Sequence, residues 1–315
     1  MIRAVRFACV AAFCAFSASV AARVETPWNA GYFPNVELTT QAGERVRFRD
    51  LIKGRTVAIE LMYTTCRYAC PLETARLAQV QALLGERMGK DVFFLSISID
   101  PEHDTPAVLK AFAAQFHAGP GWIFLTGKRA DIDLLSKKIG LYTRPDPENK
   151  DGHVPALLIG NEPSGQWMRG SALDHPKMTA TLITRWVAGY PAAAPGASYA
   201  EARPIGARTR GEYLFGSKCR VCHTIDGQGG LGPDLSAITR TRDRGWLARY
   251  IADPDAVLAA GDPIARSLSA RFRGVRMPNL QLSDEQIRDV LDYLELRSTR
   301  PASKSGSAAV FRSSL

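Results

Sequence analysis

The chain has 315 residues, of which 46% are hydrophobic and 23% charged, and its formal net charge is +9 at pH 7. This length suggests two domains, and the composition is typical of globular proteins. The mild positive charge suits docking to acidic proteins or membrane surfaces. No stripe of lysine and arginine interleaved with aromatic residues is present, so we expect no nucleic acid binding.

The N-terminal residues have the pattern of an export signal. Arg3 and Arg6 form a basic start, residues 7–16 an apolar core, and residues 19–22 a small-residue cleavage site. The uncharged run from 7 to 22 is short for a membrane span. We predict a signal peptide at 1–22 and a periplasmic or otherwise exported protein. An uncleaved leader that holds the protein at the membrane is the alternative.

Short strands then alternate with helices as far as residue 190. Strands are predicted at 36–39, 46–48, 56–62, 91–100, 122–125, 154–159 and 166–169. Helices are predicted at 71–84, from Pro106 to an end marked by Gly119, at 130–139, and from Pro176 with Met178, Leu182, Ile183 and Trp186 facing inward. This order predicts an α/β domain of thioredoxin-like fold over 30–190.

A segment rich in proline and alanine interrupts the alternation, and we predict a linker at 191–206. Beyond it the strand signals end, and helices are predicted at 208–218, 244–252 and 283–296. Ser283 and Gln286 form a capping box for the last helix, whose apolar stripe is Ile287, Val290, Leu291 and Leu294. We therefore expect a small all-α domain at 207–298 and a disordered tail at 299–315.

Four cysteines follow the leader, in two close pairs. The first pair, Cys66 and Cys70, lies where the strand at 56–62 leads into the helix at 71–84. We expect both thiols to be reachable from solvent, and the helix N-terminus to lower a cysteine pKa. Thiolates are redox nucleophiles and soft metal ligands, and this spacing lets two sulfurs face one ion. A structural disulfide or two inert core cysteines are the alternative.

The second pair lies in the stretch CRVCH at 219–223, which matches the attachment signature of haem c. Cys219 and Cys222 can bind the two vinyl groups of haem, with His223 as an axial ligand of the iron. Met277 is the only methionine after residue 205, and it precedes the last predicted helix. We predict that it is the sixth ligand, as in many electron-transfer cytochromes; core packing is the alternative.

Residues 207–298 resemble a small class I cytochrome c. In that family a proline carbonyl after the haem motif accepts the ring N–H of the ligating histidine. The resemblance therefore implies that Pro233 holds His223 in place.

The first domain resembles the Sco/SenC family of copper chaperones and thiol oxidoreductases. The resemblance rests on YTTCRYACP at 63–71 and SIDPEHDTP at 98–106. It implies that copper is bound by Cys66, Cys70 and a downstream histidine, matched here by His153. The family usually has an aspartate directly before that histidine, whereas here Gly152 intervenes and Asp151 lies one residue earlier.

Three functions fit these observations. The first is an exported copper-binding Sco-like protein that assists assembly of the cytochrome c oxidase copper centre, with a fused haem c domain for electron transfer. Its partners would be an oxidase subunit or another cuproprotein, and redox proteins. The second is a thiol–disulfide oxidoreductase or peroxidase with Cys66 and Cys70 as catalytic residues and haem as electron donor. The third is an electron-transfer protein whose first domain only docks partners. Two thiolates suit Cu(I), and an added imidazole makes Cu(II) tolerable.

Overall fold

The computed structural model describes residues 30–141, 154–187, 209–225, 227, 230–272 and 275–299. The strands are β1 Glu37–Thr40, β2 Arg45–Arg47, β3 Thr56–Met62, β4 Val92–Ser98, β5 Trp122–Gly127, β6 Ala156–Asn161 and β7 Gln166–Ser171. They form a seven-stranded sheet with the order β2-β1-β5-β4-β3-β6-β7. The central pairs β3–β4 and β4–β5 are parallel, and the outer pairs are antiparallel.

Helices cover both faces of this sheet. They are α1 Phe48–Ile52, α2 Cys70–Leu84, α3 Pro106–Gln115, α4 Arg129–Ile139 and α5 Pro176–Thr181. Helices α1 and α4 pack on one face, whereas α2, α3 and the chain after α5 pack on the other. Since β3 lies between two covered faces, all of its residues are buried, including Glu60. The parallel arrangement brings the ends of β3 and β4 to one edge of the sheet, where the Cys66–Cys70 loop lies.

The second part of the described chain is helical. Its helices are α6 Arg210–Leu214, α7 Ile238–Thr241, α8 Arg244–Ala252, α9 Pro254–Ala259, α10 Pro263–Arg271 and α11 Asp284–Thr299. A wider helical turn, Phe215–Cys219, extends α6 into the CRVCH stretch. At Gly211, a Cβ would lie 2.0 Å from the carbonyl oxygen of Asp289, so α6 and α11 cross where only a glycine fits.

The predicted strands and the main helices are present, and the capping box is confirmed. The backbone amide of Ser283 donates to Oε1 of Gln286 at 2.9 Å, and the amide of Gln286 donates to Oγ of Ser283 at 3.3 Å. The four residues of the predicted α11 stripe are all buried. No helix of the described ranges is long and apolar enough to cross a membrane.

Other predictions were wrong. Helix α3 ends at Gln115 rather than near Gly119, because His117 adopts a positive φ of 55° and reverses the chain earlier. Met178 is 56% exposed rather than inward-facing, since α5 turns that side to solvent. Helices α7, α9 and α10 were not predicted. The leader, the linker at 191–206, the tail at 300–315 and the side chain of Trp186 lie outside what the structure describes.

Candidate metal centre and haem pocket

Cys66 and Cys70 lie next to each other where the loop after β3 meets α2. The helix begins at Cys70, so Cys66 belongs to the loop and not to the same helical face. The backbone amide of Cys70 donates a hydrogen bond to Sγ of Cys66 at 3.4 Å. None of the four described cysteines is in a disulfide. The two residues are therefore brought together, as expected, but through a bond from the first amide of α2 to the Cys66 sulfur and not through a shared helical face.

The expected solvent access of this pair and the expected low pKa of Cys70 were wrong. Cys66 is 5% exposed and Cys70 has no exposed surface. Burial, followed by the neighbouring Cys66 and Glu73, raises the pKa of Cys70 well above its usual value. The amides at the start of α2 do not offset the loss of water. Cys70 is consequently a protonated thiol at neutral pH.

Two buried carboxyl groups lie behind the cysteine pair. Oε1 of Glu60 accepts a hydrogen bond from the Ser96 hydroxyl at 2.6 Å, and Nε1 of Trp122 donates to that hydroxyl at 2.9 Å. Burial raises the pKa of Glu60 to about 7 and that of Glu73 well above its usual value. Glu60 was not singled out from the sequence, although a glutamate inside an otherwise apolar strand was a visible signal.

Asp104 connects the stretch at 98–106 to the cysteine loop. Its carboxylate accepts hydrogen bonds from the backbone amide of Thr64 at 3.1 Å and from Oγ of Ser98 at 2.5 Å, and also from the hydroxyl of Thr64. Asp104 is completely buried, so these donors balance the cost of removing its charge from water. The two stretches that carry the family resemblance therefore form one structural unit.

The predicted haem residues surround a single cavity in the second part of the chain. Cys219, Cys222, His223, Pro233 and Met277 all line it. The other lining side chains are mainly apolar, among them Leu231, Leu258, Leu268, Phe272 and Leu280. The empty space within this cavity and at its solvent-filled mouth is about 870 Å³. Two thiols, an imidazole and a thioether around an apolar cavity fit haem c.

The proximal histidine is held as the cytochrome resemblance implied. Nδ1 of His223 lies 2.9 Å from the carbonyl oxygen of Pro233, so the ring N–H at Nδ1 donates and Nε2 is left to ligate iron. Removal from water lowers the pKa of His223 and keeps its imidazole neutral. At Gly232 a Cβ would lie 2.7 Å from Cε1 of His223. The glycine-rich loop therefore packs directly against this ring.

The third predicted copper ligand is not tested by the structure. His153, Gly152 and Asp151 lie outside the described residues, so the copper role of His153 stays a prediction. Within the described ranges no group of three or more histidine, cysteine, aspartate or glutamate residues could hold a metal ion. Among the described histidines, His175 caps α5, and Nδ1 of His103 lies 3.3 Å from Oδ1 of Asp104.

A thioredoxin-like domain with a cysteine pair, followed by a cytochrome c domain, is the class of protein that this fold and these sites define. The family model for SCO1/SenC matches residues 29–157, and that for cytochrome c matches residues 209–297. The chain belongs to the SCO1/SenC family and carries a cytochrome c domain after it.

Individual relatives cover the first domain. The SCO1 protein homolog of Bacillus subtilis is 34% identical over 134 residues, which are 41% of this chain and 67% of that protein. The mitochondrial SCO1 homolog of Homo sapiens is 32% identical over 115 residues, 36% of this chain and 37% of that protein. The structure of Bradyrhizobium japonicum ScoI with copper bound is 26% identical with a TM-score of 0.42, covering 49% of this chain and 99% of that one. The match thus spans about one third to two thirds of these curated relatives.

Proposed function

We propose that this protein is an exported copper-binding Sco-like protein that assists assembly of the cytochrome c oxidase copper centre, and that its haem c domain transfers electrons. The observation that carries the proposal is the direct contact between Cys66 and Cys70 at the start of α2. Family membership supports it, as does the copper in the Bradyrhizobium japonicum relative.

The buried pair suits a soft monovalent cargo. Cu(I) prefers thiolate ligands and few of them, and a site without water protects it from oxidation. Loading requires Cys70 to lose its proton, because burial holds it as a thiol. The Cys66 sulfur already accepts a hydrogen bond from the backbone amide of Cys70, and this bond stabilises negative charge on that sulfur. His153 would supply an imidazole as third ligand.

The haem domain adds a one-electron couple when haem is bound. The carbonyl oxygen of Pro233 holds the ring of His223, and Met277 lines the same apolar cavity. A one-electron carrier matches the Cu(I)/Cu(II) couple directly, whereas a disulfide needs two electrons. This difference favours copper handling over disulfide exchange.

The leader supports a location outside the cytoplasm. The basic start, the short apolar core and the small-residue site at 19–22 are typical of a signal peptide. Covalent haem attachment at CRVCH and a copper partner such as an oxidase subunit fit a periplasmic protein, held at the membrane if the leader is not cleaved. Cell fractionation with N-terminal sequencing of the mature protein would test this.

The main experiment measures copper and haem in the purified full-length protein with and without reductant. We expect Cu(I) binding by the reduced wild-type protein, loss of binding in Cys66→Ser and Cys70→Ser, and weaker binding in His153→Ala. His117→Ala is the matched control, since this histidine lies in the turn after α3 and has no ligand role. Copper binding that is unchanged in both cysteine variants would overturn the proposal. Turnover of disulfides or peroxide that needs the cysteines but not His153 would instead favour the oxidoreductase.

A further inference from the structure

The helix that begins at Cys70 is in contact with the haem-attachment segment. Val221 directly precedes Cys222 in the CRVCH stretch. It is 7% exposed and belongs to the same apolar cluster as residues of α2. Cys222, Leu231 and Leu280 also pack against this cluster. One hydrophobic core therefore continues from the thioredoxin-like domain into the cytochrome c domain.

Polar side chains of α2 fix the position of this contact. The guanidinium of Arg76 donates to the carbonyl oxygen of Ser217, and Nε2 of Gln79 donates to that of Val221 at 3.4 Å. In the sequence, these two carbonyls belong to residues on either side of Cys219. Arg76 is only 7% exposed, and a buried guanidinium is costly unless it is bonded. The docked cytochrome c domain covers Arg76, and the bond to Ser217 offsets part of the cost of removing this charge from water.

A second contact joins the cysteine loop to α9. Nε of Arg67 lies 3.5 Å from Oδ2 of Asp255, at the start of α9. Arg67 directly follows Cys66, and Asp255 lines the haem cavity. The cysteine loop therefore contacts a residue that lines the haem cavity.

Leu72 extends from the first domain into the wall of that cavity. Among the described residues that line it, Leu72 is the only one from the thioredoxin-like domain. It lies in the first turn of α2, two residues after Cys70, and is 7% exposed. The same helical turn thus holds one sulfur of the cysteine pair and part of the haem cavity.

We infer that the haem site is completed across the domain boundary, with Leu72 as a haem-contact residue held in place by docking of the cytochrome c domain on α2. This inference rests on the haem c part of the proposed function and does not require copper. It makes the haem environment sensitive to the turn that carries Cys70.

The test compares Leu72→Glu with Leu83→Glu in the copper-free full-length protein. Leu83 lies on the same helix, is 50% exposed and does not line the cavity, so it is a matched control. A carboxylate beside haem in an apolar wall favours the ferric state. We expect a lower haem midpoint potential for Leu72→Glu and the wild-type potential for Leu83→Glu. Equal potentials in two folded variants would overturn the inference.

Two further measurements do not require the fold to tolerate a buried carboxylate at position 72. Leu72→Ala and Arg76→Ala should each speed the binding of added imidazole to the ferric haem, since they open one wall of the cavity. Hydrogen exchange in the wild-type protein should differ between ferric and ferrous states at the first turn of α2. Unchanged imidazole rates together with unchanged exchange would contradict the inference. If the wild-type protein does not bind copper but shows these haem effects, the copper part of the proposed function fails and this inference stands.

Discussion

The backbone amide of Asn279 donates a hydrogen bond to the carbonyl oxygen of Arg67, with 3.0 Å between nitrogen and oxygen. Asn279 lies two residues after Met277, and Arg67 directly follows Cys66. The segment that carries the predicted sixth haem ligand is therefore tied to the loop that carries the first thiol of the copper pair. A change in the charge or position of one loop therefore alters the environment of the other.

This tie predicts that copper loading changes the haem. When two neutral thiols become two thiolates around Cu(I), the site gains one net negative charge beside the haem cavity, which favours ferric over ferrous iron. We expect Cu(I) to lower the haem midpoint potential of the reduced wild-type protein in a spectroelectrochemical titration. Cys66→Ser is the control and should show no shift. The same potential with and without copper in the wild-type protein would contradict the prediction.

Copper binding should also depend on pH. Burial raises the pKa of Cys70, so the thiol keeps its proton at neutral pH and must release it to bind copper. The apparent Cu(I) affinity should therefore rise with pH across the neutral range. Proton release, measured in weakly buffered solution, should accompany Cu(I) binding by the wild-type protein and be absent in Cys70→Ser, which loses copper binding. An affinity that does not change between pH 6 and pH 8 would show that the proton is already lost in the apo protein.

The packing of the glycine-rich loop predicts a defect in the haem site. Gly232→Ala places a Cβ 2.7 Å from Cε1 of His223, which forces the ring away from Pro233. We expect an altered haem spectrum, a lower fraction of Met277 ligation and a loss of stability of about 1–3 kcal/mol. Gly216→Ala is the matched control, because a Cβ there meets nothing within 4 Å. Spectra and unfolding curves that do not distinguish the two variants would refute this account.

Local signals in the sequence predicted much of this fold. The buried strand β3 and the capping box of α11 depend on a few neighbouring residues, and both are confirmed. The CRVCH stretch predicted haem attachment at Cys219 and Cys222 with His223 as ligand, and these three residues line one cavity. These features depend on spacing within one segment, so a single sequence carries them.

Features that depend on packing between distant segments were not predictable in this way. The low exposure of Cys66 and Cys70 results from elements that cover the loop, including the haem-attachment segment about 150 residues later. The burial of Arg76 likewise depends on a distant segment, because its hydrogen-bond partner Ser217 lies in the other domain. A helix N-terminus alone predicts a low thiol pKa, but burial has the larger effect here.

Glu60 should make the stability of the first domain depend on pH. Its pKa is raised by burial from 4.5 to about 7 in the folded protein, whereas an unfolded chain keeps the lower value. The folded state therefore binds more protons between these pH values, and the free energy of unfolding falls as pH rises through that range. The loss is about 3 kcal/mol above pH 7.

Glu60→Gln should remove this loss, because an amide oxygen can still accept the Ser96 hydroxyl and no charge is buried. We expect the variant to be more stable than the wild type at pH 8 and similar to it at pH 4.5, measured by urea unfolding. Glu86→Gln is the control, since that carboxylate is 94% exposed and pairs with Lys90 at the surface. If wild type and Glu60→Gln show the same pH dependence while both unfold cooperatively, Glu60 is not the group that links proton binding to folding.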